Sequence, residues 1–540
     1  MTVETGHGIM QRHVLKFLMP VWFFLICVAV FAGFLHLDAN SLWMDELFTV
    51  YFADPTQPDF AAFLARAAED VHPPGYYAIV WTVGQFTSAD ITIVARAISA
   101  VAAALSLVLI YFTLPSWVGK PARLFTCTFA ASSLSFFVYA QEARSYAVSW
   151  VLLIVLLAIA RRIMKASAHA KPIMWHLAIF AVVGAIAALT HFYLVPVTGA
   201  IVFVLICYGR TWPNRFAIAL TGLVILAVAL TFIWWHADKI VADLSNIWFK
   251  SDAEFLWRHL KFGVTLLRGS LLEYFLGNLI VLAGLACSAS AWAKKRATIN
   301  FKAVYGDVAL YLGTAVLGVL LAIMVTILYK PSFSYRFLLI LAPVYWIMLA
   351  LLIESFLRCP LKNSVNVLLV SATVMFALTG LRVTLRDVPR NPDWRAAANF
   401  VDTLHGCEHA ELPVLVFENA YIREDEAVHF YGYYMADPQQ REWLAYPRDA
   451  IAIFPGSGHA RDIVAERITG DDPCPLLVWG VDHATHAQFE DLRTAIPTRF
   501  DVPEGAKITL KTIHLQESTW LMRLLSVAPS KAAYLLLVER

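Results

Sequence analysis

The chain has 540 residues, of which 59% are hydrophobic and only 15% charged, with a formal net charge of +2. A soluble domain is roughly half apolar and about a quarter charged, so one large soluble core is excluded, and no lysine- or arginine-rich patch points to nucleic acid. The seven cysteines show no CxxC spacing and imply no structural zinc site.

In chain order, apolar runs near 16–36, 91–114, 122–140, 145–161, 174–190, 193–208, 216–235, 271–293, 305–329, 337–357 and 364–381 predict about eleven membrane-spanning helices. Each crossing of the hydrocarbon needs roughly 20 apolar residues. The two shortest runs, 174–190 and 193–208, alternatively form one broken hairpin. The first run is too long for a signal-peptide core and lacks a small-residue cleavage site, which predicts a retained first span. Loop charge sets the orientation. With the N-terminus in the cytoplasm every inner loop is basic, from Lys120 and Arg123 through Arg161, Arg162, Lys165 and Lys171 to Lys294, Lys295 and Arg296. An odd number of spans then puts the C-terminal region outside.

That region changes character. Charge returns, and short apolar strands at 412–418, 450–454, 476–480, 508–514 and 533–538 alternate in part with helical patterns. The expected organisation is a transmembrane domain over 1–385, including a first outer loop at 37–90, and a non-cytoplasmic α/β domain over 386–540. Cys407 and Cys474 fall in the second domain and are a candidate disulfide pair in an oxidising compartment. Gly456-Ser457-Gly458 lacks the lysine and spacing of a phosphate loop and reads as a turn.

The chemistry gathers in the outer loops. Asp45 and Glu46 follow the first span, and Asp70-Val71-His72-Pro73-Pro74-Gly75-Tyr76-Tyr77 precedes the second. Adjacent carboxylates at a membrane interface are costly unless solvated, paired or used. Pro73 and Pro74 stiffen the backbone and hold the preceding residues extended. Gln141-Glu142-Ala143-Arg144-Ser145-Tyr146 joins two spans in a short turn. His191 lies in the next outer turn, and Lys330, Tyr335 and Arg336 in a later one. Taken singly, these residues read as a wet acidic loop, an ion pair closing a hairpin and headgroup contacts. Together they put carboxylates, imidazoles and guanidiniums on one face of spans almost free of charge. Cations there suit a phosphate, and a nearby carboxylate suits a general base or a metal ligand.

In this order and in these loops, Asp45-Glu46, His72-Pro73-Pro74, Gln141 to Tyr146, and Tyr335-Arg336 with its basic neighbour resemble the polyprenyl-phosphate-sugar-dependent membrane glycosyltransferases. That superfamily includes the protein O-mannosyltransferases and the aminoarabinose transferases, and the nearest match is its bacterial galacturonosyltransferase-like branch. The resemblance covers about residues 15–385. It implies a GT-C fold with about 11 transmembrane helices and inverting transfer of a sugar from a lipid phosphate. Asp45 would orient or deprotonate the acceptor hydroxyl, with Glu46 in support. Arg144 and Arg336 would hold the donor phosphate, with Lys330 as helper. His72, Glu142, His191 and Tyr335 would shape the site. A divalent metal ion is a candidate cofactor, with Asp45, Glu142 or His72 as candidate ligands. The implied partners are a polyprenyl-phosphate sugar, a glycan, lipid or protein acceptor and membrane lipids, on the periplasmic side of a bacterial inner membrane.

Two other classes compete. A transporter would place ionisable groups near the bilayer midplane, often in repeated halves, and the sequence shows neither; a lipid flippase could share the outer basic turns but would not need the Asp45-Glu46 and His72-Pro73-Pro74 constellation. A non-catalytic membrane subunit, with the outer domain as a docking module, would keep its function largely intact when Asp45 is substituted.

Overall fold

The computed structural model describes residues 6–35, 37–169, 171–237, 251–268, 301–329, 331–358, 362–385, 391–404, 414–417, 424–440, 443–446, 476–479, 486–499, 507–513 and 532–539. The expected span at 271–293, the strand at 450–454, Lys330, Cys407 and Cys474 lie outside them. The chain divides into two units, one of Met1–Leu37 with Phe52–Thr384 and one of Asp38–Tyr51 with Leu385–Arg540.

The first unit is helical. It begins with α1 (Gly6–Ala32), and the helix α2 (Met44–Phe52) belongs to the second unit except for its last residue. There follow α3 (Phe60–Ala67), α4 (Gly75–Gly84), α5 (Ile91–Thr113), α6 (Lys120–Ser132), α7 (Leu134–Ala140) and α8 (Tyr146–Ala168). Next come α9 (Met174–Ala188), α10 (Leu194–Tyr208), α11 (Trp212–Trp235), α12 (Ala253–Arg268), α13 (Phe301–Leu328), α14 (Tyr335–Ile340), α15 (Ala342–Leu357) and α16 (Lys362–Leu385). Among the described residues, five helical segments are long and apolar enough to cross a membrane: His13–Ala32, Ile91–Thr113, Tyr146–Ala168, Trp212–Trp235 and Tyr305–Leu328. Met174–Ala188, Leu194–Tyr208, Ala342–Leu357 and Val365–Thr379 are shorter apolar helices.

Aromatic rings fill the space between helices. Trp150 meets Trp346 edge-on at 5.2 Å, and Trp22 meets Phe125 at 5.3 Å. Buried indole N–H groups need acceptors, and Trp22 Nε1 donates to Thr373 Oγ1 at 2.8 Å.

Two expected spans are broken. The run at 122–140 divides at Ser133, whose backbone is extended and whose hydroxyl caps α7 by accepting from the Phe136 amide. The run at 337–357 divides at Leu341, between α14 and α15. Pro343 has no N–H to give to the Leu339 carbonyl one turn back. The Trp150 indole donates to that carbonyl instead, at 2.8 Å. A hydropathy average passes over both breaks, because the residues at them are apolar or small.

In the second unit α17 (Trp394–Asp402) starts on Asp393, whose carboxylate accepts from the Ala396 amide. The remaining elements are β1 (Val414–Phe417), α18 (Glu424–Tyr431), β2 (Trp443–Tyr446), β3 (Leu476–Trp479), α19 (His486–Arg499), β4 (Lys507–Ile513) and β5 (Ala533–Glu539). They form a five-stranded sheet in the order β2-β1-β3-β5-β4. The β2-β1-β3 half is parallel, and β5 runs antiparallel to both β3 and β4.

The unit also contains 38–51. Ser41 Oγ accepts from the Arg395 amide at 3.2 Å, and the Ser41 carbonyl accepts from Asn391 Nδ2 at 2.8 Å. The Leu42 amide donates to the Tyr434 hydroxyl at 2.7 Å. Phe48 and Tyr51 pack on Phe430 at 4.7 and 5.1 Å. These contacts join residues far apart in sequence, so the hydropathy pattern carries no trace of them.

Candidate active site

In the helical unit the site is assembled on a close backbone approach. The Gly75 amide donates to the Leu189 carbonyl at 2.7 Å. A Cβ at Gly75 would lie 2.5 Å from that carbonyl oxygen and 2.9 Å from Thr190 Oγ1. Only glycine allows the contact, and it seats the His72-Pro73-Pro74 segment against the turn that carries His191.

Asp70 is the hub of this segment. It is buried, and its carboxylate is 3.1 and 3.2 Å from His72 Nδ1. Its Oδ2 also accepts from the Tyr77 hydroxyl at 2.5 Å. Arg144 Nη1 in turn donates to the Tyr77 oxygen at 3.2 Å. Burial pushes the Asp70 carboxyl up, but the His72 imidazole, hydrogen bonds from His72 and Tyr77, and the Arg144 guanidinium outweigh it and hold the group at about 2. Burial and the adjacent Asp70 carboxylate push the Tyr77 phenol well above its usual range, so it stays a donor.

The turn bearing Arg144 is fixed from two sides. Gln141 Nε2 donates to the Ala32 and Leu35 carbonyls at 3.2 and 2.9 Å. The Arg144 carbonyl accepts from Ser99 Oγ at 3.3 Å, and Ser99 lies 3.0 Å from the Tyr76 hydroxyl.

His191 sits between the rings of Tyr146 and Tyr193, at 5.4 and 4.9 Å. Its Nδ1 accepts the Tyr193 amide at 3.2 Å, which leaves the ring proton on Nε2. Burial lowers its basicity well below the usual histidine range, and the Arg144 and Arg336 guanidiniums lower it further. Both guanidiniums therefore act electrostatically on one imidazole.

Arg336 comes from α14, which is capped by Ser334. Tyr193 fixes the approach to that helix, donating to the Ser332 carbonyl at 2.8 Å. The Tyr335 amide donates to His259 Nδ1 at 3.2 Å. Glu142, Tyr335 and Arg336 share the electrostatic surroundings of the buried Tyr139.

Of the residues singled out from sequence, this unit brings together His72, Glu142, Arg144, His191, Tyr335 and Arg336. Asp45 and Glu46 lie in the second unit, in the first turn of α2. Carboxylates there are favoured by the helix dipole. Glu46 is buried, and its Oε2 accepts from the Trp43 amide at 3.4 Å, closing the helix start on itself. Asp70 as hub, Tyr77 as link, and Gly75, Tyr193 and His259 as supports were given no site role from sequence. The Asp70-Val71-His72 spacing was the one available sign of the first.

Among the described residues no group of three or more His, Cys, Asp or Glu side chains is placed to hold a metal ion. His72 Nδ1 is already engaged by Asp70. Glu142 and His72 belong to no such group among these residues. Two guanidiniums, a fixed carboxylate and a neutral imidazole donor are groups of the kind that suit a bound anion.

The chain resembles crystal structures of ArnT from Cupriavidus metallidurans. The apo structure is 12% identical with a TM-score of 0.48, and covers 96% of this chain and 97% of its own. The structure bound to undecaprenyl phosphate is 13% identical with a TM-score of 0.45, over the same shares. No protein-family model matches the chain. No curated protein matches it either.

Proposed function

We propose that the protein is a membrane glycosyltransferase of the GT-C type. It moves a sugar, with inversion, from a polyprenyl-phosphate donor to an acceptor hydroxyl on a glycolipid, polysaccharide or protein. The observation that carries this reading is a fixed guanidinium and a fixed imidazole N–H: Arg144 is held through Tyr77 by Asp70, and the Tyr193 amide on Nδ1 leaves the His191 proton on Nε2. A lipid phosphate is a leaving group that needs positive charge as its bond to the sugar breaks. Two guanidiniums meet that need, and the His191 Nε2–H adds a neutral donor. Arg144 is held in place by Tyr77 and Asp70. Lys330 assists in the role the family resemblance gives it. Asp45 serves the acceptor hydroxyl, as that resemblance implies. The basic inner loops favour a cytoplasmic N-terminus and a site on the outer face of the inner membrane.

The test is a transfer assay on the full chain in lipid, comparing wild type with Asp45→Asn across a panel of polyprenyl-phosphate sugars. Released lipid phosphate is measured by mass spectrometry. Wild type should consume one donor, and the Asn variant should insert normally and consume none. A wild type that consumes no donor but carries one across the bilayer would replace this reading with a flippase.

A further inference from the structure

We propose that Tyr434 is the positioning residue of Asp45, acting through the Leu42 amide, and that the second unit thereby carries the acceptor side of the reaction; this rests on the glycosyltransferase reading and on the part it gives Asp45.

The start of α2 is sharply defined. The Trp43 carbonyl accepts from the Glu46 and Leu47 amides at 2.8 and 3.0 Å, so Trp43 caps the helix and Asp45 stands at its second position. Leu42 and Leu47 flank the cap at the two positions whose packing sets the angle of entry into a helix, and both are buried. Whatever holds Leu42 therefore aims the first turn and the Asp45 carboxylate on it.

The holder is Tyr434. Leu42 is fully buried, and its amide donates to the Tyr434 hydroxyl at 2.7 Å. A buried amide needs an acceptor. Without the hydroxyl, the segment must shift or leave its donor unpaired. Tyr434 is itself fixed. The Arg395 guanidinium lies 5.4 Å from the centre of its ring, and Tyr433 meets it edge-on at 4.9 Å. The same stretch supports the rest of α2, where Tyr51 lies 5.3 Å from the His429 ring and both Phe48 and Tyr51 pack on Phe430. Residues 429–434 thus form a cradle for α2. Glu46, Leu47, Thr49 and Val50 are buried, while Asp45 stays partly exposed. The helix is anchored by its neighbours and the carboxylate is left accessible. A carboxylate displaced by a fraction of an ångström loses its alignment with the acceptor hydroxyl, which costs rate and leaves donor affinity alone.

The experiment measures transfer by the full chain in lipid, with kcat and donor KM separated, for wild type, Tyr434→Phe, Asp45→Glu, the double variant and Val538→Ala. Tyr434→Phe keeps the ring beside Arg395 and loses only the oxygen. Its kcat should fall about 10–10²-fold at unchanged donor KM. Asp45→Glu already displaces the carboxylate by one methylene, so the double variant should lose less than the product of the two single losses. Val538→Ala, at a buried position on β5, lowers the stability of the same unit and should keep kcat per folded molecule. Wild-type kcat in Tyr434→Phe, or a change in donor KM alone, would overturn the proposal. So would single losses that multiply in the double variant, or an equal loss of kcat in Val538→Ala, since either makes Tyr434 a support of the unit's stability only. Absence of transfer by wild type, or full transfer by Asp45→Asn, would instead remove the reading on which the proposal rests.

Discussion

The helical unit carries polar clusters at both ends of its long helices, and the two are built differently. About 22 Å of helix separate Tyr146 from Arg161 along α8, at roughly 1.5 Å per residue. At the Arg161 end the buried carboxylates and the guanidiniums that face them are consumed by the protein. Asp307 takes Arg161 Nε at 2.6 Å and Trp117 Nε1 at 2.9 Å. Glu354 takes Arg358 at 2.7 Å and the Gly119 amide at 2.7 Å. The Arg123 guanidinium is spent on the carbonyls of Tyr111, Leu114, Pro115 and Val118. At the Tyr146 end the carboxylate is equally well paired, but two imidazole nitrogens, Nε2 of His72 and of His191, have no hydrogen-bond partner among the described residues. A closed network staples helices, whereas an open one is left with groups to offer a ligand. The presence of charge does not separate the two; what remains after internal pairing does.

The largest effect that sharpens this contrast is Asp307→Ala. It leaves the partly buried Arg161 without its partner, a loss of about 3 kcal/mol. The melting temperature in detergent should fall clearly, while activity per folded molecule stays near wild type. A stable variant with lost transfer would erase the distinction between the ends. Gly75→Ala should cost less, about 1–3 kcal/mol, but should also impair transfer, because its Cβ cannot pass the Leu189 carbonyl without moving His72 away from His191. Normal kinetics in that variant would show that the approach does not position the site.

The smallest effect is one of pH. The Asp70 carboxyl sits at about 2 in the folded chain, against roughly 3.9 when unfolded. A depressed carboxylate contributes stability that is complete above the unfolded value and is lost as pH falls through the folded one. The gain is about 2 kcal/mol near neutrality. The melting-temperature gap between wild type and Asp70→Asn should therefore narrow as pH falls from about 5 toward 2. A constant gap across that range would mean that the Asp70–His72 pair does not hold in solution.

Much of the fold was legible because long apolar helices announce themselves. The runs at 91–114, 216–235 and 305–329 correspond to Ile91–Thr113, Trp212–Trp235 and Tyr305–Leu328. The last two strands also lie within a residue of their expected places. What escaped was set by tertiary partners. The break before α15 depends on an indole from α8. β2 is four residues long and pairs with β1. Asp38–Tyr51 belongs with the C-terminal unit through side chains on residues 391–434, which no local pattern reveals. At the site, the basic and imidazole residues were visible as a recurring chemistry on one set of turns. The linkage through Tyr77 was not, since a tyrosine before a membrane span reads as an interfacial anchor.

The most direct test of the open cluster as a lipid-phosphate site is transfer by Arg144→Gln beside wild type, with both proteins matched for melting temperature. The account predicts a loss of about 10²–10³-fold in transfer, as when a donor to a developing negative charge is removed, at nearly unchanged stability. Wild-type transfer by a folded Arg144→Gln protein would contradict it, because the guanidinium that Asp70 and Tyr77 hold in place would then serve no substrate.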